Sequence, residues 1–301
     1  MLYDSIIIGH ITMDFETDYQ GNERQIEGGA VLYSSASAHA LGHKVAAVTK
    51  VAQGDTARLK AFTLPESQIY LLPSERSTDM SNKYLSADRE RRRSTCPSLG
   101  DPFTLADLPR GIEGHIYHFA GLLLGDFEND MIRAAAKKGA LALDLQACLR
   151  NRKAADGSMF FKDWGDKFQM LPLISYLKAD AAEAEIMTGL SDRKEAAKLL
   201  HQWGAKEIMI THNTEVLIYD GKDFYTCPIR SRNLSGRTGR GDTTFAAYIN
   251  ERLSKGIKEA LLTATATVSL KMETPGPLRA SRKDVDEYIK EFYGDCLRSR
   301  P

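Results

Sequence analysis

Short apolar runs alternate with longer mixed segments along most of this chain. The runs are rich in Val, Ile, Ala and Leu, which is typical of strands buried on both faces of a parallel sheet. They occupy residues 5–9, 44–51, 115–120, 140–145, 176–179 and 207–211. Between them, apolar positions recur with helical spacing at residues 31–41, 130–138, 194–203 and 243–253. This alternation predicts an α/β fold with a mainly parallel sheet covered by helices on both faces.

Two polar segments interrupt the alternation, at about residues 15–27 and 74–97. Each is typical of a hairpin or a pair of exposed strands, and together they predict a small β lid over the rim of the sheet. The second segment contains a basic run from Arg89 to Arg93, which favours a solvated hairpin tip but leaves contact with an anionic substrate open. Because no repeat or low-complexity linker is visible, we expect residues 1–301 to form a single domain with this lid.

Composition narrows the class of protein. The 301 residues include 40 Lys and Arg and 40 Asp and Glu, so the formal net charge is zero. A general nucleic-acid binder normally carries a basic excess, and we expect no nucleic-acid partner. The four cysteines are widely spaced without metal-ligand pairing, and no stretch approaches the ~20 apolar residues that span a bilayer. These features favour a cytoplasmic protein without a membrane partner.

The most informative motif is a glycine-rich loop that precedes the helical segment at 243–253. It reads Gly236-Arg237-Thr238-Gly239-Arg240-Gly241-Asp242. Glycines allow backbone N–H groups to converge on an anion, and the following helix N-terminus adds partial positive charge. An aspartate there would repel the anion, so a general base is the better explanation, with a capped glycine turn as the structural alternative.

This loop resembles the late signature of the ribokinase-like (PfkB) carbohydrate kinase family, Asp-Thr-x-Gly-Ala-Gly-Asp. The resemblance extends nearly end to end and implies a ribokinase-like three-layer sandwich. It implies that Asp242 is the catalytic base and that the amides of Gly239, Arg240 and Gly241 form an anion hole. In this sequence Gly236 replaces the first Asp of the signature and Arg240 the small residue. The side chains of Arg237 and Arg240 either reach phosphate oxygens or point to solvent.

The early part of the chain also matches the family pattern. Asp14 follows the first strand, and Gly28 and Gly29 open the next helix, as the family's substrate-binding residues do. The resemblance therefore implies that Asp14, Gly28 and Gly29 bind the acceptor. Tyr33 stands where a polar side chain is expected in that helix, which would alter the acceptor pocket. A simple turn for the glycines and a capping role for Asp14 are the alternatives.

Three further matches concern the phosphate donor. Asp180 and Glu183 resemble the family's Asn-x-x-Glu element, which holds Mg²⁺ through water, although Asp180 replaces the Asn. Because Asp180 and Glu183 are three residues apart, their carboxylates share one helix face, which suits a metal role. A solvated acidic helix start is the alternative. The resemblance also implies that a nucleotide site includes Thr211, Thr238 and Gly276. The loop after Thr211 lacks the family's glycines, which leaves the nucleotide open.

The resemblance implies an ATP-dependent kinase that transfers the γ-phosphoryl group to a hydroxyl of a sugar, polyol or nucleoside, with Mg²⁺. The partners implied are this small molecule and ATP, with a homodimer through the lid also open. A catalytically weak, sugar- or nucleotide-binding regulatory relative is the second hypothesis, motivated by the altered nucleotide loop. A dinucleotide-dependent oxidoreductase is disfavoured because no Gly-x-Gly-x-x-Gly turn follows the first strand.

Overall fold

The computed structural model of the chain describes residues 1–86 and 91–298. Its strands are β1 (Leu2–Ile8), β2 (Thr12–Thr17), β3 (Glu23–Gly28), β4 (Val45–Val51), β5 (Ile69–Pro73), β6 (Thr78–Tyr84), β7 (Arg92–Ser98), β8 (Glu113–Phe119), β9 (Ala140–Asp144), β10 (Arg150–Arg152), β11 (Met159–Phe161), β12 (Tyr176–Asp180), β13 (Glu207–Thr211), β14 (Glu215–Tyr219) and β15 (Phe224–Pro228). Its helices are α1 (Ala30–Ala40), α2 (Asn129–Ala135), α3 (Gln146–Leu149), α4 (Lys167–Met170), α5 (Ala181–Thr188), α6 (Arg193–Gln202), α7 (Arg240–Glu251), α8 (Ile257–Lys271), α9 (Arg282–Phe292) and α10 (Gly294–Arg298).

The large sheet has the strand order β15-β14-β13-β12-β9-β8-β1-β4-β5. Strands from β13 to β5 are parallel to one another, whereas at one edge β14 pairs antiparallel with β13 and β15 pairs antiparallel with β14. The six apolar runs predicted as strands are β1, β4, β8, β9, β12 and β13. All seven residues of β4 are buried, as its uninterrupted apolar pattern predicts. The antiparallel pair β14–β15 was not predicted.

Helices cover both faces of this sheet. On one face, Ile116, Ala142 and Met209 pack with residues of α7, α8 and α9. On the other face, Tyr117, Leu143 and residues next to them pack with α2, α5 and α6. The predicted α/β three-layer architecture is therefore confirmed. No helix within residues 1–86 and 91–298 is both long and apolar enough to cross a bilayer.

A second sheet has the order β3-β2-β6-β7 and forms the lid. It begins at Thr12, three residues earlier than predicted, so Asp14 lies within a lid strand rather than just past the first core strand. Buried positions alternate along β2, which places Thr12, Asp14 and Glu16 on its inward face. These inward residues are polar, so a hydrophobic pattern could not reveal the strand. Of the basic run, Arg89 lies outside the described residues.

The helix after the glycine-rich loop also begins earlier than predicted. It starts at Arg240 rather than at residue 243, with Gly239 as its N-cap at φ 76°. Arg240, Gly241 and Asp242 are therefore the first turn of α7, where backbone N–H groups have no acceptor within the helix.

Candidate active site

A cavity of about 360 Å³ lies between the lid and the carboxyl ends of the large sheet's strands. Most of the residues predicted from the sequence to form the site line this cavity: Asp14, Gly29, Tyr33, Asp180, Glu183, Thr211, Thr238, Gly239, Arg240, Gly241 and Asp242. Gly28 and Gly276 are not among its lining residues. The fold thus brings together side chains and amides that are more than 200 residues apart in the sequence, such as those of Asp14 and Asp242.

The turn predicted to form the anion hole, residues 239–242, lies at the start of α7 and is called the anion-hole turn below. The amide of Arg240 donates to the carbonyl of Arg237 at 3.3 Å. The amides of Gly241 and Asp242 therefore belong to the part of the turn best placed to receive an anion. Burial raises the pKa of Asp242, and the ammonium of Lys178 and the guanidinium of Arg150 oppose that rise. A carboxylate with a raised pKa is a stronger base than an ordinary aspartate.

Gly239 and Tyr33 explain why the turn requires glycine. Gly239 has φ +76°, and a Cβ there would lie 2.2 Å from the ring of Tyr33. Tyr33 is only 2% exposed, so its ring cannot swing away without repacking α1. Predicted as an acceptor-binding residue, Tyr33 lines the cavity and also supports the anion-hole turn from below.

Asp14 faces the cavity from the opposite, lid side. Its Oδ1 accepts a hydrogen bond of 2.6 Å from Thr12, two residues earlier on the same strand face. Burial raises the pKa of Asp14 to about 6. Gly28 is close to this group, because a Cβ at Gly28 would lie 2.7 Å from Oδ2 of Asp14. Gly28 therefore leaves room for the carboxylate, and Gly29 is the N-cap of α1.

Lys178, which the sequence did not single out, lies at the centre of a buried charged cluster. Its Nζ donates to Oδ2 of Asp144 at 2.8 Å and lies 3.7 Å from Oε2 of Glu183. A Cβ at Gly241 would lie 3.0 Å from this Nζ, so the ammonium touches the anion-hole turn. Burial would lower the pKa of Lys178, but the carboxylates of Asp144 and Glu183 overcome this effect and raise it. Lys178 therefore carries its positive charge at neutral pH.

Asp180 and Glu183 form a capping box at the start of α5. Oδ1 of Asp180 accepts from the amide of Glu183 at 2.8 Å, and Oε2 of Glu183 accepts from the amide of Asp180 at 2.8 Å. Glu183 is 3% exposed, so the alternative of a solvated helix start does not hold for it. Burial raises the pKa of Glu183 to about 7, although the Lys178 ammonium lowers it.

These two carboxylates also fit an indirect role beside Mg²⁺. Within residues 1–86 and 91–298, no group of three or more His, Cys, Asp or Glu side chains is arranged to hold a metal ion. Asp180 and Glu183 nevertheless both line the cavity and offer oxygen atoms, which Mg²⁺ prefers. These carboxylate oxygens could contact, through water, a Mg²⁺ ion that is bound to the phosphates of the donor.

Basic side chains from four parts of the chain line the same cavity: Arg92 on β7, Arg150 on β10, Lys178 on β12, Arg237 just before the anion-hole turn and Arg240 within it. Arg150 donates to Oε1 of Gln146 at 2.6 Å, and Arg237 donates to Oδ1 of Asn213 at 3.4 Å. The sequence indicated phosphate binding as one possibility for Arg237 and Arg240. Arg92 belonged to a run interpreted as a solvated tip, and Arg150 carried no local signal.

The chain belongs to the pfkB family of carbohydrate kinases, whose model matches residues 2–283. This result confirms the resemblance inferred from the glycine-rich loop and the early motifs. Family members bind a small molecule and a phosphate donor, and the chain is a phosphotransferase acting on a hydroxyl group.

Three relatives are informative. A cytidine kinase from Thermococcus kodakarensis is 23% identical over 257 residues, which are 82% of this chain and 88% of that protein. A pyrophosphate-dependent kinase in the ribokinase family, complexed with a pyrophosphate analog and myo-inositol, is 33% identical with a TM-score of 0.84. That match covers 94% of this chain and 99% of the other.

The third relative is a pyrophosphate-dependent myo-inositol-1 kinase, which was converted into a myo-inositol-3 kinase by one Asn→Leu and one Ser→Leu exchange. It is 32% identical with a TM-score of 0.84, and the match covers 96% of this chain and 99% of that one. These comparisons confirm the ribokinase-like fold.

Proposed function

We propose that this protein transfers a phosphoryl group from pyrophosphate to a hydroxyl of a cyclic polyol of the inositol type. The observation that carries the proposal is the concentration of basic side chains around the anion-hole turn. The described lining includes Arg92, Arg150, Lys178, Arg237 and Arg240, against the carboxylates Asp14, Asp180, Glu183 and Asp242. A donor that consists only of phosphate needs this density of positive charge, because no base or ribose contributes to its binding.

The loop that precedes Arg237 also favours pyrophosphate over a nucleotide as the donor. Here the amide of Gly236 donates to the carbonyl of Met272 at 2.7 Å, and Ser235 donates through Oγ to the carbonyl of Glu273 at 2.9 Å. Arg232 forms an ion pair with the carboxylate of Glu273. These contacts close the loop onto the end of α8, on the side where the resemblance implied a nucleotide. Gly276, implied as part of that nucleotide site, lies outside the cavity lining.

The acceptor end is built by the lid. Asp14 would accept hydrogen bonds from acceptor hydroxyls, as a carboxylate does with geometry that neutral groups rarely match. Asn82 lines the cavity two residues along β6 from Met80, which is the register partner of Asp14. Ser94 on β7 is directly opposite Asn82 and donates to its Oδ1 at 2.6 Å. We propose that this Asn–Ser pair orients the ring of the acceptor.

The reaction follows from these positions. Asp242 accepts the proton of the acceptor hydroxyl while the oxygen of that hydroxyl forms a bond to the nearer phosphorus of pyrophosphate. The bond between that phosphorus and the bridging oxygen breaks, and orthophosphate leaves. The amides of the anion-hole turn and the cation of Lys178 stabilise the charge on the transferring group. Mg²⁺, with Asp180 and Glu183 around its water shell, would neutralise donor charge.

The deciding experiment pairs donors and acceptors. Purified protein with Mg²⁺ is assayed by phosphorus NMR with pyrophosphate or ATP, each against inositols, ribose and cytidine. We expect turnover with pyrophosphate and an inositol, with orthophosphate released in a one-to-one ratio to the phosphorylated product. Turnover with ATP and none with pyrophosphate would refute the proposal that pyrophosphate is the donor. Binding of the ligands without turnover by any pair would favour the regulatory alternative.

A further inference from the structure

Lys271 is a buried lysine that lies outside the cavity. It is the last residue of α8, and its side chain is 1% exposed. Its Nζ donates to the carbonyl oxygen of Gly236 at 2.5 Å and to the carbonyl oxygen of Thr238. The same Nζ lies 5.0 Å from the centre of the Tyr33 ring, which is within cation–π range. The Tyr33 ring in turn packs against Gly239. Lys271 therefore contacts both the loop that leads into the anion-hole turn and the ring that packs against this turn.

The loop before the turn is seated directly on the end of α8. A Cβ at Gly236 would lie 1.8 Å from the carbonyl oxygen of Thr274, so the two backbones touch. The amide of Gly236 donates to Met272, and the carbonyl of Gly236 accepts from Lys271. One residue on α8 and the backbone beyond it therefore fix the path of the chain as it enters the anion-hole turn.

The bond to Thr238 has a specific geometric effect. The carbonyl of Thr238 and the amide of Gly239 belong to one peptide unit, and in a trans unit these two groups point in opposite directions. No peptide bond in the described chain is cis. Holding the Thr238 oxygen toward buried Lys271 therefore turns the N–H of Gly239 away from α8, and Gly239 lines the cavity. A positive charge on Nζ of Lys271, next to this oxygen, also polarises the peptide unit and strengthens its N–H as a donor.

We propose that Lys271 is a positioning residue for phosphoryl transfer, which fixes and polarises the Thr238–Gly239 peptide unit at the entrance of the anion-hole turn. The expected loss of turnover rests on the proposed function, whereas the expected effect on the peptide unit does not. Burying an ammonium group is unfavourable unless it is well paired. Burial lowers the pKa of Lys271 to about 7, against the raising effect of the carboxylates of Asp242 and Glu16. An exposed residue would have served if α8 needed only a charge at its C-terminus.

The test compares Lys271→Met with Lys258→Met, the same exchange at an exposed position of α8. In Lys271→Met we expect amide hydrogen exchange over residues 237–242 to become at least tenfold faster in the unliganded protein. Turnover should fall about 100-fold, the scale of losing one oriented donor to a transition-state anion. The KM of the acceptor should stay near the wild-type value, because Asp14 is on the lid. Lys258→Met should change none of these quantities.

A second variant, Lys271→Ala, protects the test against a folding failure of the first. Its vacated space faces two carbonyl oxygens, and methylammonium should restore both exchange protection and turnover. Wild-type turnover together with wild-type exchange in either folded variant would overturn the proposal. Hydrogen exchange requires no donor, so a wild-type protein inactive with every donor would refute the proposed function while the exchange result still decides the role of Lys271.

Discussion

The ammonium of Lys178 and the carboxylate of Asp144 form an ion pair of 2.8 Å, buried at the carboxyl ends of two neighbouring strands. Glu183 lies at 3.7 Å from the same ammonium. One ammonium therefore lies beside two buried carboxyl groups and also touches the backbone of Gly241. The pair therefore links the stability of the sheet to the charge of the site where we propose that the donor binds.

Replacing Lys178 by Met should lower both stability and donor affinity. Breaking a buried ion pair by removing one partner costs about 3–5 kcal/mol, because the remaining charge is uncompensated. We expect a loss of this size in the free energy of unfolding at pH 7, measured by urea denaturation. The loss should shrink at pH 5, since Asp144 and Glu183 then take up protons in the folded variant. Lys198→Met at an exposed ion pair should cost under about 0.5 kcal/mol. Equal stability of both variants would contradict the prediction.

Acceptor binding should depend on pH through Asp14. Its pKa of about 6 in the folded protein means that the carboxylate is ionised at pH 7.5 and gains a proton as the pH falls. Below pH 6 we expect the KM of the acceptor to rise about tenfold per pH unit, because the protonated group accepts hydrogen bonds poorly. Asp14→Asn should have a high KM at pH 7.5 that no longer varies with pH. A wild-type KM that is constant from pH 7.5 to pH 5 would exclude this role.

Asp242→Asn should abolish most turnover and leave the fold intact. Loss of a general base typically lowers kcat by about 10²- to 10⁴-fold. Removing a negative charge from the anion-hole turn should leave the affinity for methylenediphosphonate, a pyrophosphate analog, unchanged or improved, as measured by calorimetry. Asp130→Asn, in the exposed first turn of α2, is the matched control. Retention of more than a tenth of wild-type kcat in a folded Asp242→Asn protein would refute Asp242 as the base.

Gly239→Ala separates backbone strain from contact. A residue with a side chain at φ > 0 costs about 1–3 kcal/mol, and at Gly239 the new Cβ would also overlap the Tyr33 ring. Gly42 has φ +85° with no atom near a Cβ, so Gly42→Ala reports the strain alone. We expect Gly239→Ala to be destabilised more than Gly42→Ala in thermal denaturation, and only Gly239→Ala to lose turnover. Similar losses of turnover in both would show that contact with Tyr33 is immaterial.

The lid pair Asn82 and Ser94 should control which hydroxyl is phosphorylated. An Asn→Leu and Ser→Leu exchange altered the product of the myo-inositol kinase relative, and this chain has a hydrogen-bonded Asn–Ser pair on two lid strands. We expect the Asn82→Leu/Ser94→Leu protein to retain turnover but form a different inositol phosphate isomer, identified by proton–phosphorus NMR. Ser81→Leu, one residue from Asn82 and directed to the opposite face of β6, is the control. An unchanged isomer would exclude this pair as the determinant of regiochemistry.

The sequence was sufficient to predict the parallel core and the position of Asp242. Strands such as β4 are apolar throughout because both of their faces are covered, and that pattern is local. The glycine-rich loop is also local, since its residues are consecutive. Its helix was placed three residues late because Arg240 and Gly241 are not typical of a helix start.

The charged wall of the cavity could not be predicted in the same way. Arg92, Arg150 and Lys178 come from separate strands, and only the packing of those strands brings them together. Lys178 stands within a buried strand, and its role could not be inferred from the sequence because its partner Asp144 lies on a neighbouring strand. The spacing of Asp180 and Glu183 indicated a shared helix face. Their capping box was not predicted, and the burial of Glu183 beside Lys178 depends on packing between separate elements.

The lid strand that carries Asp14 begins four residues after the end of β1, whereas Asp242 lies on α7, far along the chain. In the proposed mechanism, recognition of the acceptor and activation of its hydroxyl therefore belong to different pieces of the protein. Substitutions on β2, β6 and β7 can change the molecule that is accepted while the helix that performs the transfer keeps its sequence. A family built on this division can acquire new acceptors by altering a small sheet, without rebuilding its catalytic machinery.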